Sequence, residues 1–172
     1  MIFGCLRKDG ANVFNSALIL NREGELAGYY DKVHCRSFDL KCTPGVTLPV
    51  FDSDFGIFGV MICADRCWPE TVRTLALKGA RIIFNPTFGM HDDLNASIVR
   101  TRSFESDVWI AFTHPKQALV TGPLGKNLVN NRDEEDHFVI SEVDLSFADQ
   151  VRAREYHNVS FLNDRKPDAY EL

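Results

Sequence analysis

The stretch FGIFGVMICADRCWPE, residues Phe55 to Glu70, changes character at its midpoint. Its first half is an unbroken apolar run, which suits a strand buried on both faces inside a sheet. Its second half is charged and ends in Pro69, a residue suited to the first turn of a helix. Val72, Leu75 and Ala76 continue at helical spacing, Gly79 supplies a stop, and ARIIFNP returns as another short buried strand. Residues 55–86 therefore read as strand, helix, strand, and Cys63 falls where the first strand gives way to the helix.

Working outward, a second helix is expected from about Asn95 to Asp107, followed by the strand VWIAF. Upstream, MIFGCLRKDG, NSALIL and LAGYYDKVH read as strands, the last two joined by the polar turn NREGE. PGVTLPVFDSDFG reads as loop, short strand and turn. Downstream, QALVTGPLG and HFVISEVDL are expected to pair across the polar loop NNRDEED, and Ser146 to cap a final helix, FADQVRARE. Strands interleaved with helices, some buried on both faces and some in hairpins, specify a layered α/β domain.

The chain has 172 residues, 45% hydrophobic and 25% charged, which is enough apolar material for one core, and residues 1–172 read as a single domain. The net charge of −5 and the lack of any basic run argue against nucleic acid as a partner. The apolar stretch from Phe55 to Cys63 is too short to span a bilayer. Five cysteines make an odd count without the density of a disulfide scaffold, which points to a reducing, cytoplasmic setting. Neither His34/Cys35/Cys42 nor Cys63/Cys67 has a paired zinc-module spacing, so no metal and no cofactor are expected.

Ligand sites in α/β sheets collect at the carboxyl ends of the strands. A helix N-terminus at that place favours an anion, and a thiol attacks as its anion. Cys63 is thus placed as a nucleophile would be, although free cysteines commonly just fill a core. Cys67 lacks the strand-end placement. Lys32, closing a strand, would ordinarily be a solvated lysine. Asn85 and Thr87, around Pro86 at a strand end, suit a pocket wall. Trp68 and Phe88 suit either a pocket or the core. Arg100, Arg102 and Glu105 lie at helical spacing for ion pairs.

Five motifs occur in one order: Gly28-Tyr29-Tyr30-Asp31-Lys32-Val33-His34; Pro44-Gly45; Cys63-Ala64-Asp65 with Pro69-Glu70; Leu75, Gly79-Ala80 and Asn85-Pro86; and RTRSFESDVWIAF, with DRKPDAY near the end. Together they closely resemble the nitrilase, or carbon–nitrogen hydrolase, superfamily, over nearly the whole chain. The resemblance implies an αββα sandwich and hydrolysis of non-peptide C–N bonds in small amides, carbamoyl compounds or nitriles through a Glu–Lys–Cys triad. It makes Cys63 the nucleophile that forms an acyl-enzyme. Lys32 becomes the oxyanion stabiliser, assisted by the Ala64 N–H, and Asp39, Asn85, Thr87 and Phe88 become pocket residues. It also implies a homodimer or higher homo-oligomer, formed near the helix Pro69 to Lys78, where Val72, Leu75 and Leu77 exceed one inward stripe.

The sequence departs from the family's pattern in identifiable places. The family's general-base glutamate precedes the lysine by more than the 31 residues found here, and Asp9, Glu23, Glu25 and Asp31 sit in different contexts. The chain therefore reads as a member shortened at its N-terminus, without the opening strand, the opening helix and that glutamate. Asp39 stands near the place of the family's second glutamate, and Ala64 follows the cysteine where an aromatic is common. Two alternatives accompany the hydrolase: a non-catalytic truncated paralogue or fragment of the same fold, and a cysteine peptidase pairing Cys63 with His34, His91, His114, His137 or His157. The absence of a Gln-x5-Cys stretch and the strand–cysteine–helix order oppose the peptidase.

Overall fold

The computed structural model describes residues 1–36, 39–132 and 138–170. Three strands open the chain: β1 (Ile2–Asp9), β2 (Asn12–Leu20) and β3 (Leu26–Asp31). They pair antiparallel in the order β1-β2-β3. A second sheet holds β4 (Val50–Phe51), β5 (Phe58–Val60), β6 (Ile82–Pro86), β7 (Trp109–His114), β8 (Gln117–Thr121) and β9 (Asn127–Arg132), in chain order. Its β5, β6 and β7 run parallel. The crossovers are α1 (Pro69–Leu77) and α2 (Asp93–Glu105), and α3 (Ser146–Arg152) follows.

Alternation along the parallel strands explains the layering. Ile83, Ile110 and Phe112 point one way and pack with Val72, Leu75 and Ala76 of α1 and Val99 of α2. Phe58, Val60, Ile82 and Trp109 point the other way, onto Ala17, Ile19 and Tyr30 of the three-stranded sheet. The six-stranded sheet is thus sandwiched between helices and a second sheet, which is why Phe55–Cys63 could be apolar throughout. Toward Met1 the two sheets part, leaving a cleft of about 720 Å³ lined by Ile2, Ile19, Phe51, Phe58, Phe84 and Ala111 among others. No described helix is long and apolar enough to cross a membrane.

Three expectations need correction. The β8–β9 hairpin turns at Gly122–Lys126, not at NNRDEED, because Asn127–Arg132 itself is the strand paired with β8. It reads as loop because β9 lies at the sheet's edge, at least partly exposed along its length, and is therefore largely polar. The described part of HFVISEVDL, residues 138–145, has no strand, and His137 lies outside the described residues. Ser146 is the first residue of α3 rather than its cap; the Asp144 carboxylate accepts from both the backbone N–H (2.9 Å) and the hydroxyl (2.7 Å) of Ser146.

Gly45, of the Pro44-Gly45 turn, lies against the end of β3. Its N–H donates to the Lys32 carbonyl at 2.9 Å, and a methyl group on it would fall 2.1 Å from the Asp31 carbonyl oxygen. Backbone cannot yield as a flexible side chain can. Gly45→Ala should therefore destabilise the fold by at least about 1–3 kcal/mol, the usual cost of overpacking, read as a lower urea midpoint at an unchanged slope.

Candidate active site

The segment after β5 forms a 3-10 turn, Cys63–Cys67, leading into α1. Cys63 opens it with φ at +49°, a left-handed conformation that costs a side-chain-bearing residue about 1–2 kcal/mol. Such strain persists only where surrounding contacts impose it, and it gathers at functional sites. Among the described residues neither the Cys63 nor the Ala64 N–H has an acceptor, as expected for the first amides of a helical turn. The Cys63 side chain is half-buried.

The contact that imposes this turn is the carboxylate of Asp65, which is fully buried. It accepts from the Ile62 N–H at 2.9 Å, the Tyr30 hydroxyl at 2.7 Å, the His34 N–H at 3.1 Å and the His34 ring Nδ1 at 2.8 Å. Tyr30 and His34 lie two residues either side of Lys32, so one carboxylate ties the Lys32 segment to the Cys63 turn. Burial, and then the Asp65 charge, push the Tyr30 phenol far above its ordinary range, which keeps it a donor. The His34 ring stacks on Trp68 with centroids 4.2 Å apart.

Lys32 is 3% exposed, and its ammonium forms an ion pair with Asp39. Asp39 also accepts from Asn15 Nδ2 at 2.6 Å. Burial opposes ionisation of Asp39, but hydrogen bonds from Lys32 and Asn15 together with the Lys32 charge outweigh it and hold the carboxyl below its usual range. The same pair acts on Cys35: burial first, and then the Asp39 charge, push its thiol up.

A second clamp lies behind the turn. Arg66 is 1% exposed and, among the described residues, pairs with no carboxylate. Its guanidinium instead donates to the Cys63 carbonyl, the Asn95 side chain and the Met90 carbonyl, the last at 2.8 Å, and it lies over the Phe112 ring. This holds the loop before α2 against the Cys63 turn. Gly89 of that loop is so close that a methyl group on it would sit 3.1 Å from Cys63 Sγ.

Of the residues singled out from sequence, Lys32 and Asp39 are in contact, and Cys63 and Ala64 share the strained turn. Asn85 is fully buried, with its Nδ2 donating to the Met61 carbonyl at 3.1 Å and its Oδ1 without a partner among the described residues. Thr87 donates its hydroxyl to the Asn85 carbonyl, and Phe88 is exposed. Arg102 pairs with Glu105, while Arg100 donates to the Gly125 carbonyl. Sequence reasoning passed over Asp65 and Tyr30 as chemistry, although both lay inside quoted motifs, and weighed His34 only as a metal ligand or a partner of Cys63, whereas its ring and N–H bond Asp65. It gave no signal for Arg66 or Gly89, whose partners are backbone atoms distant in sequence.

The Lys32–Asp39 pair sets an acid dependence. A carboxyl whose folded pKa is depressed contributes stability that is complete above its unfolded value, about 3.9, and is lost as pH falls through the folded value. The stability advantage of wild type over Asp39→Asn should therefore shrink on acidification below about pH 4, read from urea midpoints of the two proteins. An advantage independent of pH would show that Asp39 is not ionised by its partners.

Comparison with known proteins gives the geometry its context. Residues 1–153 match the carbon-nitrogen hydrolase family model. The chain is 33% identical over 177 residues to a probable nitrilase of Schizosaccharomyces pombe, covering 92% of this chain and 62% of that protein. It is 26% identical to an N-carbamoylputrescine amidase of Solanum tuberosum, covering 92% of this chain and 63% of that protein. The chain thus spans a little under two thirds of these relatives. Its fold matches the crystal structure of a carbon-nitrogen hydrolase from Helicobacter pylori G27 with a TM-score of 0.84 at 24% identity, over 98% of this chain and 68% of that one. With two sheets face to face, helices on the six-stranded one and a cysteine in the turn between a parallel strand and its crossover helix, the chain belongs to the carbon–nitrogen hydrolase family, the nitrilase superfamily.

Proposed function

We propose that residues 1–172 form a single carbon–nitrogen hydrolase domain in which Cys63 attacks the carbon of a small amide, carbamoyl compound or nitrile. What supports this most directly is the strained Cys63 turn stapled through Asp65 to the Lys32 segment. With an amide, an Sγ–C bond forms and the carbonyl oxygen gains negative charge, which the Lys32 ammonium and the Ala64 N–H would stabilise. The C–N bond then breaks, ammonia departs with the thiol proton, and water hydrolyses the thioester. Gly89 leaves open the space beside Sγ, and Thr87 and Phe88, which precede it in the chain, are the proposed pocket residues.

Both steps need a base, and roughly 10²–10⁴-fold in rate rests on one. Among the described residues no carboxylate contacts Cys63. Asp39 orients Lys32 instead: its proton affinity is lowered by that pairing, which makes it a poor base. This observation also favours a second reading, a non-catalytic member of the same fold. Five free cysteines fit a reducing, cytoplasmic setting for either reading.

The 172-residue chain should be alkylated by iodoacetamide at Cys63, seen by peptide mass spectrometry, while releasing ammonia from simple amides very slowly. Brisk release that vanishes in Cys63→Ala would make Asp39 or another carboxylate the base. An unreactive Cys63 would favour the non-catalytic reading.

We also propose that the chain self-associates through the face bearing α1. The motive is narrower than the helix's sequence implies, because Val72 and Leu75 are buried inward and only Leu77, 49% exposed, is left outward. Sedimentation at micromolar concentration should show a dimer or larger; a clean monomer overturns this.

A further inference from the structure

The loop that walls Cys63 has a second anchor besides Arg66. His114, the last residue of β7, sets its ring Nε2 3.1 Å from the Phe88 carbonyl, and its Nδ1 accepts from the Lys116 N–H at 3.0 Å. One face of the ring stacks on His91, with centroids 4.1 Å apart and planes 13° from parallel. Phe88, Gly89 and His91 all belong to the loop, so the ring grips it at both ends, with Gly89 against Cys63 Sγ between them.

These bonds assign the tautomer. A nitrogen that accepts an N–H carries no proton of its own, and only a protonated nitrogen bonds a carbonyl. Both contacts are made at once by the neutral imidazole with its proton on Nε2. A proton added at Nδ1 would face the Lys116 N–H, donor against donor, across 3.0 Å. The ring would have to leave its slot, giving up the Phe88 carbonyl and the His91 stack together.

We propose that His114 is a positioning residue that holds the Phe88–His91 loop over Cys63 only as the neutral imidazole, so that acid releases the loop. The proposal rests on Cys63 being the site's nucleophile only for its consequence; the latch itself is a property of the fold.

The charged surroundings agree. Lys116 of the β7–β8 turn, Arg66 of the 3-10 turn and His91 of the loop all face His114. On α2, Asp93 is engaged by Arg132 of β9, and the Asp92 side chain caps the helix at Asn95. Burial foremost, with help from His91, Lys116 and Arg66, lowers the His114 pKa; the Phe88 carbonyl pulls the other way and is outweighed. A histidine with a depressed native pKa binds its proton better once released. The closed loop is therefore fully favoured above the unperturbed value, about 6.5, and loses ground as pH falls below it.

The test is hydrogen exchange of peptides spanning 86–92, read by mass spectrometry and corrected for intrinsic rates. Wild type should lose protection there by about threefold or more between roughly pH 7.5 and pH 5. His114→Gln can still reach the Phe88 carbonyl but cannot titrate, and should show no acid limb. His91→Phe keeps a stacked ring but removes a group that lowers the closed-state pKa of His114, and should make the acid limb shallower. Should His114→Gln not fold, the shallower limb of His91→Phe decides. Protection in wild type that is flat with pH, or a limb of unchanged size in both variants, overturns the proposal. The readout is loop opening rather than turnover, so it stands or falls separately from Cys63 alkylation and ammonia release.

Discussion

A single buried carboxylate organises this end of the molecule. Asp65 takes donors from Ile62, Tyr30 and His34, and so joins the turn after β5 in one sheet to the end of β3 in the other. Buried ionised groups are costly unless every lone pair is used, and four donors on two oxygens meet that condition. The same bonds pull Cys63 into its left-handed conformation and bring the segment carrying Lys32 to it. Without this staple the two sheets would still pack through apolar side chains, which are indifferent to small displacements. Hydrogen bonds to a fixed carboxylate are not.

The rest of the site repeats that logic with other charges. Lys32 is nearly inaccessible and is balanced by Asp39, itself held by Asn15 of β2. Arg66 is buried, has no carboxylate partner among the described residues, and is satisfied by backbone carbonyls from its own turn and from the loop before α2 and by Asn95. Each charge therefore fixes a stretch of main chain that no regular secondary structure fixes. On the proposed function, charges held in this way would need little reorganisation to meet an anion forming beside Cys63.

Family motifs marked the Cys63 turn, the Lys32 strand end and the Pro44-Gly45 turn before any coordinates. The apolar run Phe55–Val60, Pro69 and the spacing of Val72, Leu75 and Ala76 marked the strand–helix–strand unit because hydrophobic period and helix punctuation are local properties. The errors were local too. Asn127–Arg132 lies at an edge and is polar enough to read as loop, and Asp144 competes with Ser146 as the cap two residues away. A strand is defined by its partner, and a cap by which oxygen reaches the amide, so neither follows from composition.

The sequence by itself determined the α/β class, the family, the placement of Cys63 between strand and helix, and the identity of the groups that could act, since these rest on residue type and spacing along the chain. Only the tertiary structure decided what those groups meet: that Asp39 is spent on Lys32, that Asp65 binds both sheets, that Arg66 and His114 grip the Phe88–His91 loop, and that Gly89 lies against Sγ. These contacts join segments far apart in sequence, and hydrogen bonds are made or missed within about half an ångström, a resolution that no pattern along one dimension carries.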